Sequence, residues 1–193
     1  LKYGDAVRLQ KEIAGKVVAY DDFSEIKRIC GVDVAYDGNI AYCSALVMEK
    51  NQVIETADNK TRVTHPYIPG LLMLREAEPI FQTVRMLKDD YDLLLIDGHG
   101  LLHPRRCGLA CYVGVTLDKP AIGVAKSRLC GTVQPDGFVE LGGQALGYLL
   151  GRLYISVGHR ISLKTAIEIV KLGTEPLRLA DANSKAQKRR KGL

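Results

Sequence analysis

The chain has 193 residues, enough for one sizeable core and short for two, so a single domain over residues 1–193 is expected. Hydrophobic residues make up 47% of it, an ordinary globular fraction, and no run approaches the roughly 20 apolar residues of a membrane-spanning helix, which excludes that class. The net charge of +5 is modest but concentrated: "SKAQKRRKGL" carries Lys185, Lys188, Arg189, Arg190 and Lys191 with no acid, so residues from about 184 to 193 read as a basic C-terminal tail suited to a polyanion.

Five cysteines (Cys30, Cys43, Cys107, Cys111 and Cys130) are scattered, odd in number and without a C-x-x-C pair, which points to reduced thiols and a cytoplasmic protein. No signal peptide is visible, and the opening residue is Leu1 rather than Met, which leaves room for an upstream residue or short segment. There is no fixed-period repeat and no low-complexity linker.

In chain order, "ICGVDVAYD" reads as a strand with Asp33 in its middle. "NIAYCSALVME" and "NQVIETADN" read as two more, joined around Lys50 and Asn51, and three strands with short turns predict an antiparallel meander. "THPYIPG" then sets Tyr67 between Pro66 and Pro69. Proline fixes φ at about −65° and biases the preceding residue towards extended backbone, so this loop is stiff and holds one aromatic ring outward. From Leu71 to Leu87 the apolar residues fall at helical spacing, and "LLLID" is a buried-type strand ending at Gly98.

Gly108 to Leu117 reads as a helix, "AIGVAKS" as a strand ending at Lys126, and "ALGYLLG" with "LYISVG" as a hairpin about Gly151 and Arg152. Ser162 is placed to cap a helix over "LKTAIEIVKLG" that Gly173 stops, and a final helix starts at Glu175. The plan is α/β: a central mixed sheet, the meander first and alternating helices and strands after it, with functional groups at the ends of central strands.

Asp33, flanked by valines, is expected to be buried, and a buried carboxylate is costly unless it meets a cation. Asp97 ends its strand at a glycine turn, and Glu76 lies near the start of the helix after the Tyr67 loop. Carboxylates from separate elements that converge at strand ends suit Mg²⁺, a hard ion that prefers oxygen and keeps waters for a phosphate substrate. One or two such ions promote phosphodiester hydrolysis. A zinc site from His99, His103, Cys107 and Cys111 is the rival, since these are spaced by four. Gly100, Pro104 and Gly108 interrupt the helix it needs, and Cys107 and Cys111 read better as small buried hydrophobes.

"GVDVAY", "PYIPG" with "LREAEP", "DGHGLLHPRRCGLACYVG", "IGVAKSRLCG", "SVGH" and "EPLRLAD" occur in this order. From Gly31 to Asp181 they closely resemble endonuclease V, the repair nuclease that recognises deaminated purines, chiefly deoxyinosine. The resemblance implies a ribonuclease H-like fold, Mg²⁺ dependence with Mn²⁺ also active, and cleavage of the second phosphodiester bond 3′ to the lesion, leaving a 3′-hydroxyl and a 5′-phosphate. It places the metal carboxylates on Asp33, Glu76 and Asp97, a lysine near the scissile phosphate on Lys126, and a water-orienting or metal-centre histidine on His159.

By the same resemblance Pro66, Tyr67, Ile68 and Pro69 form a wedge, with Tyr67 stacking in the gap left by a flipped nucleotide. Gly70, Leu72, Gly98, Gly100, His103 and Gly108 fall on the lesion pocket. There the glycines admit close backbone approach to a planar base, whose O6 and N1 edge backbone groups can read. The sequence departs from the family at His99, where relatives often carry Gln or Asn, and in "SVGH", where S-P-G-H is found elsewhere. The expected partner is DNA with deaminated bases, bound by a monomer that needs no membrane. Inosine-containing RNA is the alternative substrate, and a non-catalytic nucleic-acid binding module is the alternative class.

Overall fold

The structure, a computed structural model, describes residues 3–190, so Lys191 at the end of the basic stretch lies outside the described residues. The first element is one the apolar pattern did not announce. α1 (Tyr3–Ala14) turns only Ala6, Gln10 and Ile13 fully inward, a helical stripe with a glutamine at its centre.

β1 (Arg28–Asp37), β2 (Ile40–Glu49) and β3 (Gln52–Arg62) form the expected antiparallel meander. Lys50 and Asn51, at φ 47° and 63°, make the two-residue turn between the second and third strands. α2 (Met73–Val84) is shorter than the Leu71–Leu87 span read from periodicity, and it contains Pro79. A proline there has no N–H for the Arg75 carbonyl one turn back, and the Tyr36 hydroxyl donates to that oxygen instead, at 3.2 Å.

β4 (Leu93–Asp97), α3 (Leu109–Leu117) and β5 (Ala121–Ala125) follow as read. β6 (Thr132–Val133) and β7 (Phe138–Leu141) are short strands that the pattern did not reveal. β8 (Gln144–Leu150) and β9 (Leu153–His159) form the hairpin, turning at Gly151 with φ 60°. Ser162 caps α4 (Leu163–Leu172) by accepting the Thr165 N–H at 3.1 Å, and Gly173 ends it. In α5 (Glu175–Arg190) the structure corrects the reading of a tail from about residue 184: residues 184–190 are helical, and Ser184 is buried.

The nine strands among the described residues lie in one mixed sheet, in the order β3-β2-β1-β4-β5-β9-β8-β7-β6, with β1, β4 and β5 parallel to one another. This is the ribonuclease H-like plan. Side-chain alternation sorts the sheet into two faces. Leu94 and Ile96 join α2 and α3 in one core, while Leu93 and Leu95 join α4 and Leu177 of α5 in the other. Gly31, in the middle of β1, lets α5 approach, because a Cβ there would lie 2.1 Å from the Pro176 carbonyl carbon. Asp33 is two residues further along and so faces the same helix. No described helix is long and apolar enough to cross a membrane.

Candidate active site

Strand register builds the centre. β1 and β4 run parallel with Val32 beside Ile96, so Asp33 and Asp97, one residue on, come side by side facing α5. That helix supplies Asp181, and one carboxylate oxygen from each of Asp33, Asp97 and Asp181 lies within 4.8 Å of the others. β5 places Val124 beside Asp97, and two residues later Lys126 projects on the same side. Its Nζ lies 2.6 Å from Asp97 Oδ2 and 3.2 Å from Asp181 Oδ1. Glu76 comes from α2, packed on the opposite face, and lines the same cavity as Asp33 and Asp97.

Asp181 was not assigned a role from the sequence, although it closes the "EPLRLAD" motif. The available signal was the inward stripe of Leu177, Ala180 and Ser184, which turns the neighbouring Asp181 towards the sheet.

Burial, and then the charges of Asp97 and Asp181, raise the pKa of Asp33 above the ordinary carboxylate value, with a hydrogen bond from Ser184 opposing. Burial followed by Asp97 and Asp33 raises Glu76 well above its ordinary value. Burial opposes the charge on Lys126, but hydrogen bonds and attraction from Asp97 and Asp181 outweigh it and raise its pKa. Asp181 is lowered because hydrogen bonds from Lys185 and Lys126 overcome its burial. Asp33 and Glu76 are therefore held against burial and the neighbouring carboxylates without a cation of their own. An all-oxygen donor set in that state fits Mg²⁺ or Mn²⁺, with Asp33, Asp97 and Asp181 as the close group and Glu76 beside it.

The loop before α2 holds Tyr67 63% exposed, while Ile68 packs against the core. Both ends of the loop are fastened. Arg75 donates to the His65 carbonyl at 2.8 Å and to the Gly38 carbonyl at 2.9 Å, with its guanidinium over the Tyr36 ring. At the other end Gly70, at φ 76°, presents a carbonyl that accepts from Arg105 Nη2 at 2.6 Å, Gln10 Nε2 at 2.9 Å and His103 Nε2 at 3.0 Å. Gln10 is buried, and its oxygen accepts from Arg105 Nε. Neither Gln10 nor Arg105 was singled out from the sequence.

Gly70, Leu72, Gly98, His103 and Gly108 line the cavity with Tyr67, Asp33, Glu76 and Asp97. His103 lines it with its hydrogen bonds already committed, Nε2–H to the Gly70 carbonyl and Nδ1 accepting the Arg105 N–H at 3.1 Å. Burial, then the Arg105 charge, lowers its pKa to about 4, so the ring is neutral. His103 thus holds the pocket wall and has no ring nitrogen left over for a base. Gly100 is corrected outright. A Cβ there would lie 1.9 Å from the Val157 carbonyl oxygen, so the missing side chain makes room for β9 rather than for a base. Cys107 and Cys111 are buried in a small apolar cluster with Ile13.

His159 also requires correction. β9 runs antiparallel to β5 and pairs Ala121 with His159, which puts the histidine at the opposite end of β5 from Lys126, about 16 Å away at ~3.3 Å per residue. Its Nδ1 accepts the Val18 N–H at 3.2 Å and its Nε2 faces Asp118 Oδ1 at 3.3 Å, so it fastens the segment after α1 to the turn after α3. His159→Ala is expected to lower stability by about 1 kcal/mol, the worth of the hydrogen bond from the half-buried Val18 N–H, and to leave cleavage per folded molecule unchanged. Thermal melts and single-turnover rates check this. Burial lowers the His159 pKa from 6.5, with the Asp118 hydrogen bond opposing. Below pH 6.5 the unfolded chain therefore takes up the proton before the folded one, and this histidine's contribution to stability falls as pH drops.

Acids at the ends of parallel strands, closed by a helix across one face of a mixed sheet, define a nuclease of the ribonuclease H-like class. Residues 11–187 match the endonuclease V family model, and the chain belongs to that family. Endonuclease V of Sulfurisphaera tokodaii is 43% identical over 189 residues, covering 95% of each chain. The crystal structure of endonuclease V from Streptomyces avermitilis superposes with a TM-score of 0.90 at 28% identity, over 100% of this chain and 95% of that one. That of Ciona intestinalis endonuclease V, in complex with a DNA containing an inosine followed by a ribo-adenosine, does so with a TM-score of 0.86 at 27% identity, over 97% and 98%.

Proposed function

We propose that the chain is a repair endonuclease that recognises deaminated purines in DNA, chiefly deoxyinosine. It hydrolyses the second phosphodiester bond 3′ to the lesion and leaves a 3′-hydroxyl and a 5′-phosphate. The reading rests on one observation: Asp33, Glu76, Asp97 and Lys126 line the same cavity, of about 710 Å³, as Tyr67, Gly70, Leu72 and Gly108. A space of that size accommodates a flipped nucleotide next to a carboxylate centre. The inosine-containing DNA held by the Ciona relative supports the same substrate class.

Asp33, Asp97 and Asp181, with Glu76 beside them, would hold Mg²⁺ or Mn²⁺, which when bound supplies an activated water and offsets charge on the leaving oxygen. Lys126 keeps a fixed ammonium at the same spot, where it neutralises charge that develops on the scissile phosphate. Tyr67 fills the gap left by the extruded nucleotide, and the walls at Gly70, Leu72, Gly98 and Gly108 enclose the base.

The test is cleavage of end-labelled strands that carry one deoxyinosine or one inosine, with and without Mg²⁺. A metal-dependent cut one nucleotide beyond the 3′ neighbour bond of deoxyinosine is expected, and cuts unrelated to the lesion overturn the reading. Preference for the inosine strand would favour the RNA alternative. Lys126→Ala is expected to lower the single-turnover rate by ~10²-fold while lesion binding changes only a few-fold. A variant that weakens binding and keeps its rate would make Lys126 a positioning group.

A further inference from the structure

Asp33 has a partner that the chemistry above does not use. The Ser184 hydroxyl, on α5, lies 2.7 Å from Asp33 Oδ2 and 3.0 Å from the carbonyl of Asp181 in its own helix. Ser184 is fully buried, at 0% exposure, the one polar member of the buried stripe of α5. A hydroxyl has one proton to give, and the shorter contact, to a carboxylate, is the charge-assisted one.

The placement follows from packing. Pro176, Leu177, Ala180 and Ser184 are the buried residues of α5, and Gly31 allows that stripe to lie directly on β1. One turn of helix therefore brings Asp181 to the acidic group, Ser184 to Asp33 and Lys185 to Asp181, which it meets at 2.8 Å.

We propose that Ser184 is a positioning residue for the metal centre: its O–H holds Asp33 Oδ2, fixes the plane of the carboxylate and leaves the other oxygen for the ion. The inference rests on the reading of Asp33 as a metal ligand. Hydrogen bonds to ligating carboxylates orient them, and their loss typically weakens metal binding about 10–100-fold. A hydroxyl that served only to seat α5 would have no such effect.

The experiment measures Mn²⁺ binding to the full chain without substrate, from the electron paramagnetic resonance signal of free Mn²⁺. Ser184→Ala is expected to bind Mn²⁺ ~10-fold more weakly than the parent, with a cleavage rate at saturating metal within about 3-fold. Ser184→Cys fills nearly the same space with a weak donor and is expected to lose affinity likewise, which covers a failure of the alanine variant to fold. Leu177→Ala loosens α5 on the sheet without touching Asp33 and is expected to keep parental affinity. Unchanged Mn²⁺ affinity in the Ser184 variants, or an equal loss in Leu177→Ala, overturns the proposal. Asp33→Asn separates the two readings: if it abolishes Mn²⁺ binding while Ser184→Ala does not weaken it, only the role of Ser184 fails. If the parent binds no Mn²⁺, the metal reading fails as well.

Discussion

Asp33→Asn or Asp97→Asn lowers the Mg²⁺-dependent cleavage of a deoxyinosine strand by at least ~10²-fold and leaves binding of that strand within a few-fold, because what is lost is stabilisation of transition-state charge. Asp181→Asn is expected to do the same, being one of the three acids whose oxygens converge. Stability moves in the opposite direction. Burial and like charge hold Asp33 above the ordinary carboxylate pKa, so its ionised form is a load on the metal-free fold near neutral pH. Metal-free Asp33→Asn therefore melts at or above the parent, and Mg²⁺ raises the melting temperature of the parent more than that of the variant. Single-turnover cleavage, equilibrium binding in Ca²⁺ or without metal, and melts with and without Mg²⁺ check the three parts. A variant that cuts at the parental rate in Mg²⁺ removes its residue from the centre.

How far this site could be read in advance depended on whether a residue's position follows from its own strand. Asp33 and Asp97 were legible because "GVDVAY" and "LLLID" are short buried strands, and a carboxylate that interrupts or ends such a run has to meet a cation or an ion. The meander, the Lys50–Asn51 turn, the Ser162 cap and the Gly173 stop were legible for the same local reason. His159 was not, because its position depends on which neighbour β9 chooses. The hairpin with β8 was visible, but the antiparallel pairing of β9 with β5, which carries His159 to the far end, is a long-range fact.

Asp181 shows the converse. α5 is mostly polar, and its short stripe of Leu177, Ala180 and Ser184 gives Asp181 an inward side but not a partner, which appears only where Gly31 lets Pro176 close on β1. α1 escaped because its inward stripe is centred on Gln10, a polar residue satisfied by the carbonyls of Gly70 and Cys107 and by Arg105. Gly100 and Gly108 looked alike in the sequence. In the fold both make room for backbone, the first for β9 and the second for the His99 carbonyl, 2.1 Å from where its Cβ would lie, and of the two Gly108 lines the cavity.

Tyr67→Ala weakens recognition of deoxyinosine in duplex DNA by about 1–3 kcal/mol, the worth of one base–aromatic stack, and does so without changing metal affinity. The ring is 63% exposed while the loop that bears it is fastened, at His65 by Arg75 and at Gly70 by Gln10, His103 and Arg105. A ring presented that way loses little further freedom when it inserts, so most of the stacking energy remains available to offset unstacking of the extruded nucleotide. The deficit should accordingly scale with the difficulty of extrusion: largest for deoxyinosine in a paired duplex, smaller opposite a mismatch, smallest in a single strand. Tyr67→Phe is expected to behave as the parent, because stacking needs the ring and not its hydroxyl. Cleavage of one deoxyinosine in the three contexts, for both variants, measures this directly, with a thermal melt for each to show that the fold is intact. An equal deficit in all three contexts, or a large drop in melting temperature for Tyr67→Ala, would mean that the ring supports the loop rather than the lesion gap.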